Sequence, residues 1–229
     1  VRTILAFDCA PPEDCPLCPR LAEFRAGNRL KFPDWRNAPV ASFGAARARL
    51  AIVGLAPGLR GANRTGRPFT GDYAGDLLYA TLLEYGFASG IYEQRADDSL
   101  TLVDCAIVNS VRCVPPQNKP TPLEITTCRR FLAGTLSALR NLEVIVALGR
   151  IAHESLLRVY GCRLAQFPFA HGAVHAAGQG LPTFVDSYHC SRYNTNTGVL
   201  TPEMFGAVFA QARTLLDKNN EPANLGEAG

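Results

Sequence analysis

Four short apolar runs alternate with stretches in which apolar residues recur every three or four positions. Leu50–Leu55, Leu102–Val108, Val144–Leu148 and Thr183–Ser187 read as strands. Leu102–Val108 is nearly continuous in apolar residues, which suits a strand buried on both faces. Between these runs the helical period predicts helices over Leu21–Arg29, Tyr73–Tyr85, Pro122–Leu139 and Arg150–Tyr160. A last helix opens at Thr201-Pro202-Glu203 and runs to about Leu216. In the second helix Leu77, Leu78, Thr81, Leu82 and Tyr85 fall on one face. Thr121 before Pro122 supplies an N-cap and a proline at the first helical position. Residues 1–20 read as irregular and cysteine-bearing, Trp35–Phe43 as a loop, Tyr188–Leu200 as a polar loop, and Asn219–Gly229 as a tail expected to fray. No segment repeats. Strands alternating with helices predict an α/β sandwich with a mainly parallel sheet, in one domain spanning residues 1–229.

The loop after the first strand carries the most chemistry. Gly54–Gly75 holds six glycines and two prolines, yet also Arg60, Arg64, Arg67, Phe69 and Asp72. Glycine lets a backbone approach a ligand closely. A strand–loop–helix unit places such a loop at the carboxyl edge of a parallel sheet, where open α/β folds bind their ligands. No Gly-Lys-Ser/Thr follows, so it is not a phosphate-binding P-loop, and GxGxxG is absent. Loops this long without secondary structure of their own are commonly functional.

Two further loops follow strands and should converge on the same edge. One is Asn109-Ser110-Val111-Arg112-Cys113; the other is His189–Gly198. Together the three loops offer an aromatic platform in Phe69, a carboxamide in Asn109, an imidazole in His189, a carboxylate in Asp72 and several arginines. That inventory suits a flipped nucleobase: the aromatic stacks on it, the carboxamide reads its edge, and arginines hold phosphates. Each residue has a plainer role open to it. Asp72 sits where a helix N-cap belongs, Asn109 where a turn begins, and Phe69 could pack in the core. His153 and His175 read as hydrogen-bonded structural histidines.

Composition sharpens this picture only in part. Formal net charge is +3 over 229 residues, too small to announce a nucleic-acid binder. Twenty of the basic residues are Arg and three are Lys, and arginine grips phosphates and base edges bidentately. Apolar residues make up 47% of the chain, enough for a sizeable core, but no run approaches a membrane span. The beginning of the sequence lacks the charged–apolar–small pattern of a secretory signal. Eight cysteines without such a signal argue against a disulfide scaffold. Cys15-Pro-Leu-Cys18 is a CxxC, and Cys113 and Cys128 form a second pair. Four thiolates suit zinc or an iron–sulfur cluster, and spacing does not choose between them. Cys9 is an alternative ligand, and Cys105 reads as a buried small hydrophobe.

The same residues carry a family resemblance. Gly54-Leu55-Ala56-Pro57-Gly58 with Asn63–Asp72 resembles the first motif of the family 5 (type b) uracil-DNA glycosylases. Asn109–Cys113 with Pro115–Thr121 resembles their second segment, and His189–Arg192 with Asn194-Thr195 and Thr197-Gly198 their last motif. Cys15, Cys18, Cys113 and Cys128 match the family's [4Fe-4S] ligands. The likeness runs from Cys15 to about Leu216. It implies a uracil-DNA glycosylase-like three-layer α/β/α sandwich around a central four-stranded mainly parallel sheet. Cys190 replaces the usual proline after the motif histidine. Tyr193, Asn196 and Val199 also depart from the usual residues.

The resemblance implies a monofunctional hydrolase that breaks the N-glycosidic bond of deaminated bases in DNA and so initiates base-excision repair. Uracil is the shared substrate; hypoxanthine, xanthine and ethenocytosine are taken variably. The transition state needs negative charge at the sugar and hydrogen-bond donors at the base. Asp72 is assigned to the sugar, His189 to the base oxygen, and Asn109 to the base edge. Other families of the superfamily carry an acidic or amide residue where this chain has Ala56, which moves the burden to Asp72. Gly54, Ala56, Gly58, Phe69, Asn109 and His189 are expected to contact the base. Arg64, Arg67, Arg112, Arg192 and Asn194 are expected to contact DNA. A monomer working on uracil-containing DNA in a bacterial or archaeal cytoplasm, at the nucleoid and without a membrane, is the expected setting. Two other classes remain: an iron–sulfur redox or sensor protein, and a damaged-DNA-binding module without catalysis.

Overall fold

The computed structural model describes residues 9–218. The expected fraying of Asn219–Gly229 therefore lies outside the described residues, as do positions 1–8. In chain order the elements are α1 (Pro19–Lys31), β1 (Phe43–Gly44), β2 (Leu50–Gly54), α2 (Ala62–Thr65), α3 (Tyr73–Glu84), β3 (Ala88–Ser89), β4 (Thr101–Leu102), β5 (Cys105–Asn109), α4 (Pro122–Ala138), β6 (Val144–Leu148), α5 (Arg150–Val159), β7 (Val174–Ala176), β8 (Thr183–Ser187), α6 (Arg192–Asn196) and α7 (Pro202–Lys218).

Strands β5, β2, β6 and β8 lie side by side and parallel, the arrangement the apolar runs predict. Side chains alternate between the two faces because strand periodicity is two. Leu50, Ile52, Ile107, Val144 and Val146 pack on one face with Leu78 and Leu82 of α3 and Phe205 and Phe209 of α7. Ala51, Val53, Ala106, Val108 and Ile145 pack on the other with Leu132 and Leu136 of α4 and Leu156 and Leu157 of α5. The result is a three-layer α/β/α sandwich, and burial of β2, β5 and β6 on both sides explains their lack of polar alternation.

The sheet has six strands rather than four. Short β1 and β7 add antiparallel at its two edges. At two and three residues they are too short to leave a periodic signal. The expected strand over Leu102–Val108 is interrupted at Asp104, whose φ of 50° breaks the extended backbone. Leu102 instead pairs with Ala88 in a separate ribbon, and the sheet strand starts at Cys105. The segment Tyr188–Leu200 is not all loop: Ser191 accepts from the Asn194 N–H at 3.3 Å and caps the five-residue α6.

Helix α4 starts as its sequence predicts. The Thr121 N–H donates to Glu124 Oε2 at 2.7 Å, and the Glu124 N–H donates to Thr121 Oγ1 at 3.3 Å, a reciprocal capping box. Arg20 forks onto the same carboxylate at 2.8 and 2.7 Å, tying the start of α1 to the start of α4. His153 and His175 are hydrogen-bonded, as expected: they meet the buried Asp186 carboxylate at 2.7 and 3.0 Å. Cys105 is a fully buried core residue.

Candidate active site

The parallel register brings Gly54 level with Asn109 and Leu148 level with Ser187 at the carboxyl edge of the sheet. The loops that leave these positions enclose a cleft of about 520 Å³ lined by Ala56, Gly58, Phe69, Asp72, Asn109 and His189 among others. That size falls in the range of small-molecule sites, about 300–1,000 Å³.

The glycine loop is braced rather than slack. Thr65 Oγ1 donates within it to the carbonyls of Gly61 and Thr70 at 3.2 and 3.1 Å. Tyr79 Oη donates to the Pro68 carbonyl at 2.6 Å, and the Gly71 N–H donates to Tyr92 Oη at 3.2 Å. Phe69 adopts φ 51°, a left-handed backbone worth roughly 1–3 kcal/mol of strain for a non-glycine residue. This backbone holds the Phe69 ring against the end of β2. Its centroid lies 6.0 Å from that of His189, with the planes 30° apart. A Cβ on Gly54 would sit 2.7 Å from Phe69 Cζ and would overlap Asn109 Oδ1. Gly54 is thus what lets the platform and the carboxamide meet.

Asn109 Oδ1 is buried and has no hydrogen-bond partner among the described residues. Leaving such an acceptor unsatisfied costs about 1–3 kcal/mol, and an N–H on a bound ligand would recover that. His189 is half-buried, and burial pushes its pKa down to about 4. Its imidazole is therefore neutral near pH 7 and donates from one nitrogen only.

Asp72 has both of its possible roles. Its Oδ1 accepts from the Gly75 N–H at 3.1 Å, capping α3. Its Oδ2 faces Gly58 and Gly61: a Cβ on Gly58 would lie 2.8 Å from it, and one on Gly61 would overlap it. Burial raises the pKa of this carboxyl, the Gly75 N–H opposes the shift, and the Asp76 carboxylate adds to it. No cation among the described residues offsets that desolvation.

The arginines divide. Arg192 lines the cleft at the start of α6, its guanidinium 5.4 Å from the Tyr73 ring centroid. Arg64 is exposed on α2. Arg67 and Arg112, expected at DNA, are interior. Arg67 forks onto the buried Asp98 at 2.6 and 2.8 Å and lies among the rings of Phe43, Tyr79 and Tyr92. Arg112 is fully buried, donating to the Val40 carbonyl at 3.3 Å and Thr135 Oγ1 at 2.7 Å. Both brace the loops that carry the site. Asn194 spends its amide on the His189 carbonyl at 2.8 Å, so it positions the imidazole-bearing backbone. Residue-by-residue reading missed Asn118, Tyr73 and Ser191, all of which line the cleft. Asn118 lies in the Pro115–Thr121 segment that carries the resemblance, so its signal was present.

Cys15, Cys18, Cys113 and Cys128 converge on a second, small pocket with Leu21, Arg25, Val111 and Phe131. All four are free thiols. Burial pushes Cys18 to about 11 and Cys113 to about 12, the latter despite the nearby Arg25 guanidinium. The Arg112 N–H donates to Cys128 Sγ at 3.3 Å, and Arg25 Nη1 donates to Cys113 Sγ at 3.5 Å. Among the described residues, three metal-type ligand atoms within 4.8 Å of one another belong to His153, His175 and Asp186. Cys9 stands apart from this pocket, over Gly134 of α4.

Residues 41–213 match the family model described as the Uracil DNA glycosylase superfamily. A type-5 uracil-DNA glycosylase of Thermus thermophilus is 46% identical over 207 residues, covering 88% of this chain and 93% of the relative. One of Mycobacterium bovis is 40% identical over 209 residues, covering 88% and 78%. One of Pyrobaculum aerophilum is 37% identical over 204 residues, covering 87% and 88%. With the fold, the cleft and matches of this extent in hand, the chain belongs to the uracil-DNA glycosylase superfamily and is a glycosylase, a hydrolase, akin to its type-5 members.

Proposed function

We propose that this cleft excises uracil, and also hypoxanthine, xanthine and ethenocytosine, from DNA, with Asp72, His189 and Asn109 carrying the reaction. The observation that carries the reading is the pairing of an unsatisfied buried Asn109 Oδ1 beside Phe69 with an Asp72 carboxylate in the same cleft that pairs with no cation among the described residues.

The flipped base stacks on Phe69, and an N–H of its edge donates to Asn109 Oδ1. As the bond between the sugar C1′ and the base nitrogen breaks, its electron pair moves into the base ring and onto a carbonyl oxygen of the base. His189, neutral at the working pH, donates a hydrogen bond to that oxygen. The positive charge left on the sugar is stabilised by the Asp72 carboxylate. Water then adds to C1′ and gives up its proton toward Asp72, and the departing base anion takes a proton from solvent. Ala56 supplies no group that could position water, and its small side chain leaves room for purines.

Cys15, Cys18, Cys113 and Cys128 are proposed to hold a [4Fe-4S] cluster. The donor set supports this: four free thiols around one pocket, with N–H groups aimed at two of the sulfurs. When bound, the cluster cross-links the segment before α1 to the loop that carries Arg112 and leads to Asn118. The setting proposed is a monomer acting on DNA in a bacterial or archaeal cytoplasm, at the nucleoid.

The test is a panel of oligonucleotides carrying each base, in single- and double-stranded form, under single-turnover conditions with alkaline strand scission. Scission at uracil and at the purine lesions is the expected outcome. Scission at uracil alone removes the broad-substrate reading, and none at any base removes the catalytic one.

A further inference from the structure

Arg25 is a buried cation that bonds to no carboxylate among the described residues. It lies on the inward face of α1 with Leu21 and Asn28, 5% exposed. Its two hydrogen bonds go to Cys113 Sγ at 3.5 Å and to the Cys15 carbonyl at 3.0 Å. Asp14, a carboxylate that feels its charge, is exposed and bonded to Arg29. A guanidinium is strongly disfavoured in such a place unless something negative balances it. Among the described residues, what faces it is the pocket of Cys15, Cys18, Cys113 and Cys128.

We infer that Arg25 is the built-in counter-cation of the four-thiolate set, holding the cluster in the protein and setting its reduction potential. This rests on the [4Fe-4S] reading above and adds to it a residue outside the ligand set. Four thiolates give the site a net negative charge, and one-electron reduction makes it more negative, so a fixed positive charge at the sulfurs favours the reduced form. The hydrogen bond to Cys113 Sγ also stabilises that thiolate as a ligand. The bond to the Cys15 carbonyl ties the CxxC segment to the Cys113 loop through one side chain. Arg112 is also buried nearby, but it meets the sulfurs through its backbone N–H while its side chain reaches Val40 and Thr135.

Arg25→Gln, Arg25→Lys and Arg29→Gln are compared with the wild type, all purified without oxygen. Arg29→Gln removes the same charge one turn along the same helix, from a side chain bonded to Asp14 and the Asn37 carbonyl instead of a sulfur. Iron content, the rate of loss of cluster absorbance to a chelator, the midpoint potential in a dithionite titration, and the melting temperature are measured. Arg25→Gln is expected to lose its cluster at least tenfold faster than wild type. Its reduced-to-oxidised ratio at a fixed potential should fall about tenfold, or about 59 mV for one electron. Arg25→Lys should keep the potential near wild type because it keeps the charge, and Arg29→Gln should change neither readout. If Arg25→Gln does not fold, a wild-type potential in Arg25→Lys still supports the inference, and a fallen one overturns it. Equal potentials in Gln and Lys overturn it too, since a purely packing role would not separate them. A wild-type protein without iron overturns the cluster reading itself, and this inference with it.

Discussion

Replacing Asp72 by Asn separates its two roles. The cap uses Oδ1, which accepts from the Gly75 N–H at 3.1 Å, and an Asn oxygen accepts the same bond. Asn and Asp cap helices about equally well, whereas Ala costs on the order of 1 kcal/mol. The proposed reaction needs the negative charge on Oδ2, and Asn lacks it. Loss of a positioned base or charge of this kind lowers rates roughly a hundred- to ten-thousand-fold, or about 3–5 kcal/mol of barrier. Stability should move the other way. Burial raises the folded-state pKa of Asp72 above 3.8, so the folded state binds this proton more tightly than the unfolded chain does. Its contribution is most favourable below that unfolded value and is lost as pH rises through the raised one. At neutral pH the ionised carboxylate is a net cost, which Asn does not carry. Asp72→Asn should therefore melt at or above the wild-type temperature at pH 7, with the advantage shrinking in acid, while Asp72→Ala melts lower. The rate is read from single-turnover excision on a uracil-containing duplex followed by alkaline scission. The wild-type rate should fall toward acid through the raised Asp72 pKa, and the Asn variant should lack that limb. Excision by Asp72→Asn within a few-fold of wild type would refute the reasoning and leave Asp72 a cap alone.

Gly54→Ala places a methyl group against Asn109 Oδ1 and Phe69 Cζ. It should lower single-turnover excision at least tenfold and cost about 1–3 kcal/mol by overpacking, read from the same assay and a melt. Arg67→Ala strands the buried Asp98 carboxylate. It should lose roughly 3–5 kcal/mol of stability in denaturant titration, while DNA affinity measured well below the melt stays within twofold of wild type. Arg192→Ala removes an exposed cation at the cleft. It should weaken binding to damaged and undamaged duplex alike and reduce the slope of log affinity against log salt by about one; an unchanged slope would remove Arg192 from the phosphate contacts.

The parallel core was legible because its strands are buried on both faces and its helices keep a clean apolar stripe. What escaped the sequence depends on single backbone angles or on very short pairings. Asp104 at φ 50° breaks a run that reads as one strand, and β1 and β7 are too short to alternate. The site shows the same division. Asp72, Phe69, Asn109 and His189 follow from strand ends and loop chemistry, and the fold brings all four to one cleft. The arginines do not follow, since a guanidinium in a site loop looks the same whether it points out, like Arg192, or inward, like Arg67 and Arg112. Only the partners decide: Asp98 and three aromatic rings claim one, and Val40 and Thr135 another.

Burial gives the proposed catalysis its sense. It disfavours both charged forms, raising Asp72 and lowering His189. An ordinary enzyme interior would pair such a carboxylate with an arginine and bring its pKa back down. Here no cation among the described residues does so, although the loops around Asp72 carry several. Arg67 is turned onto Asp98, and Arg192 lies over Tyr73. On the mechanism proposed above, the carboxylate enters the reaction with its charge uncompensated. On that proposal, its favourable partner arises only when the glycosidic bond breaks and positive charge builds on the sugar. An interaction absent in the ground state and strong in the transition state is what lowers a barrier. An arginine placed beside Asp72 would make the protein more stable and the enzyme slower, because the charge would already be satisfied before the bond began to break.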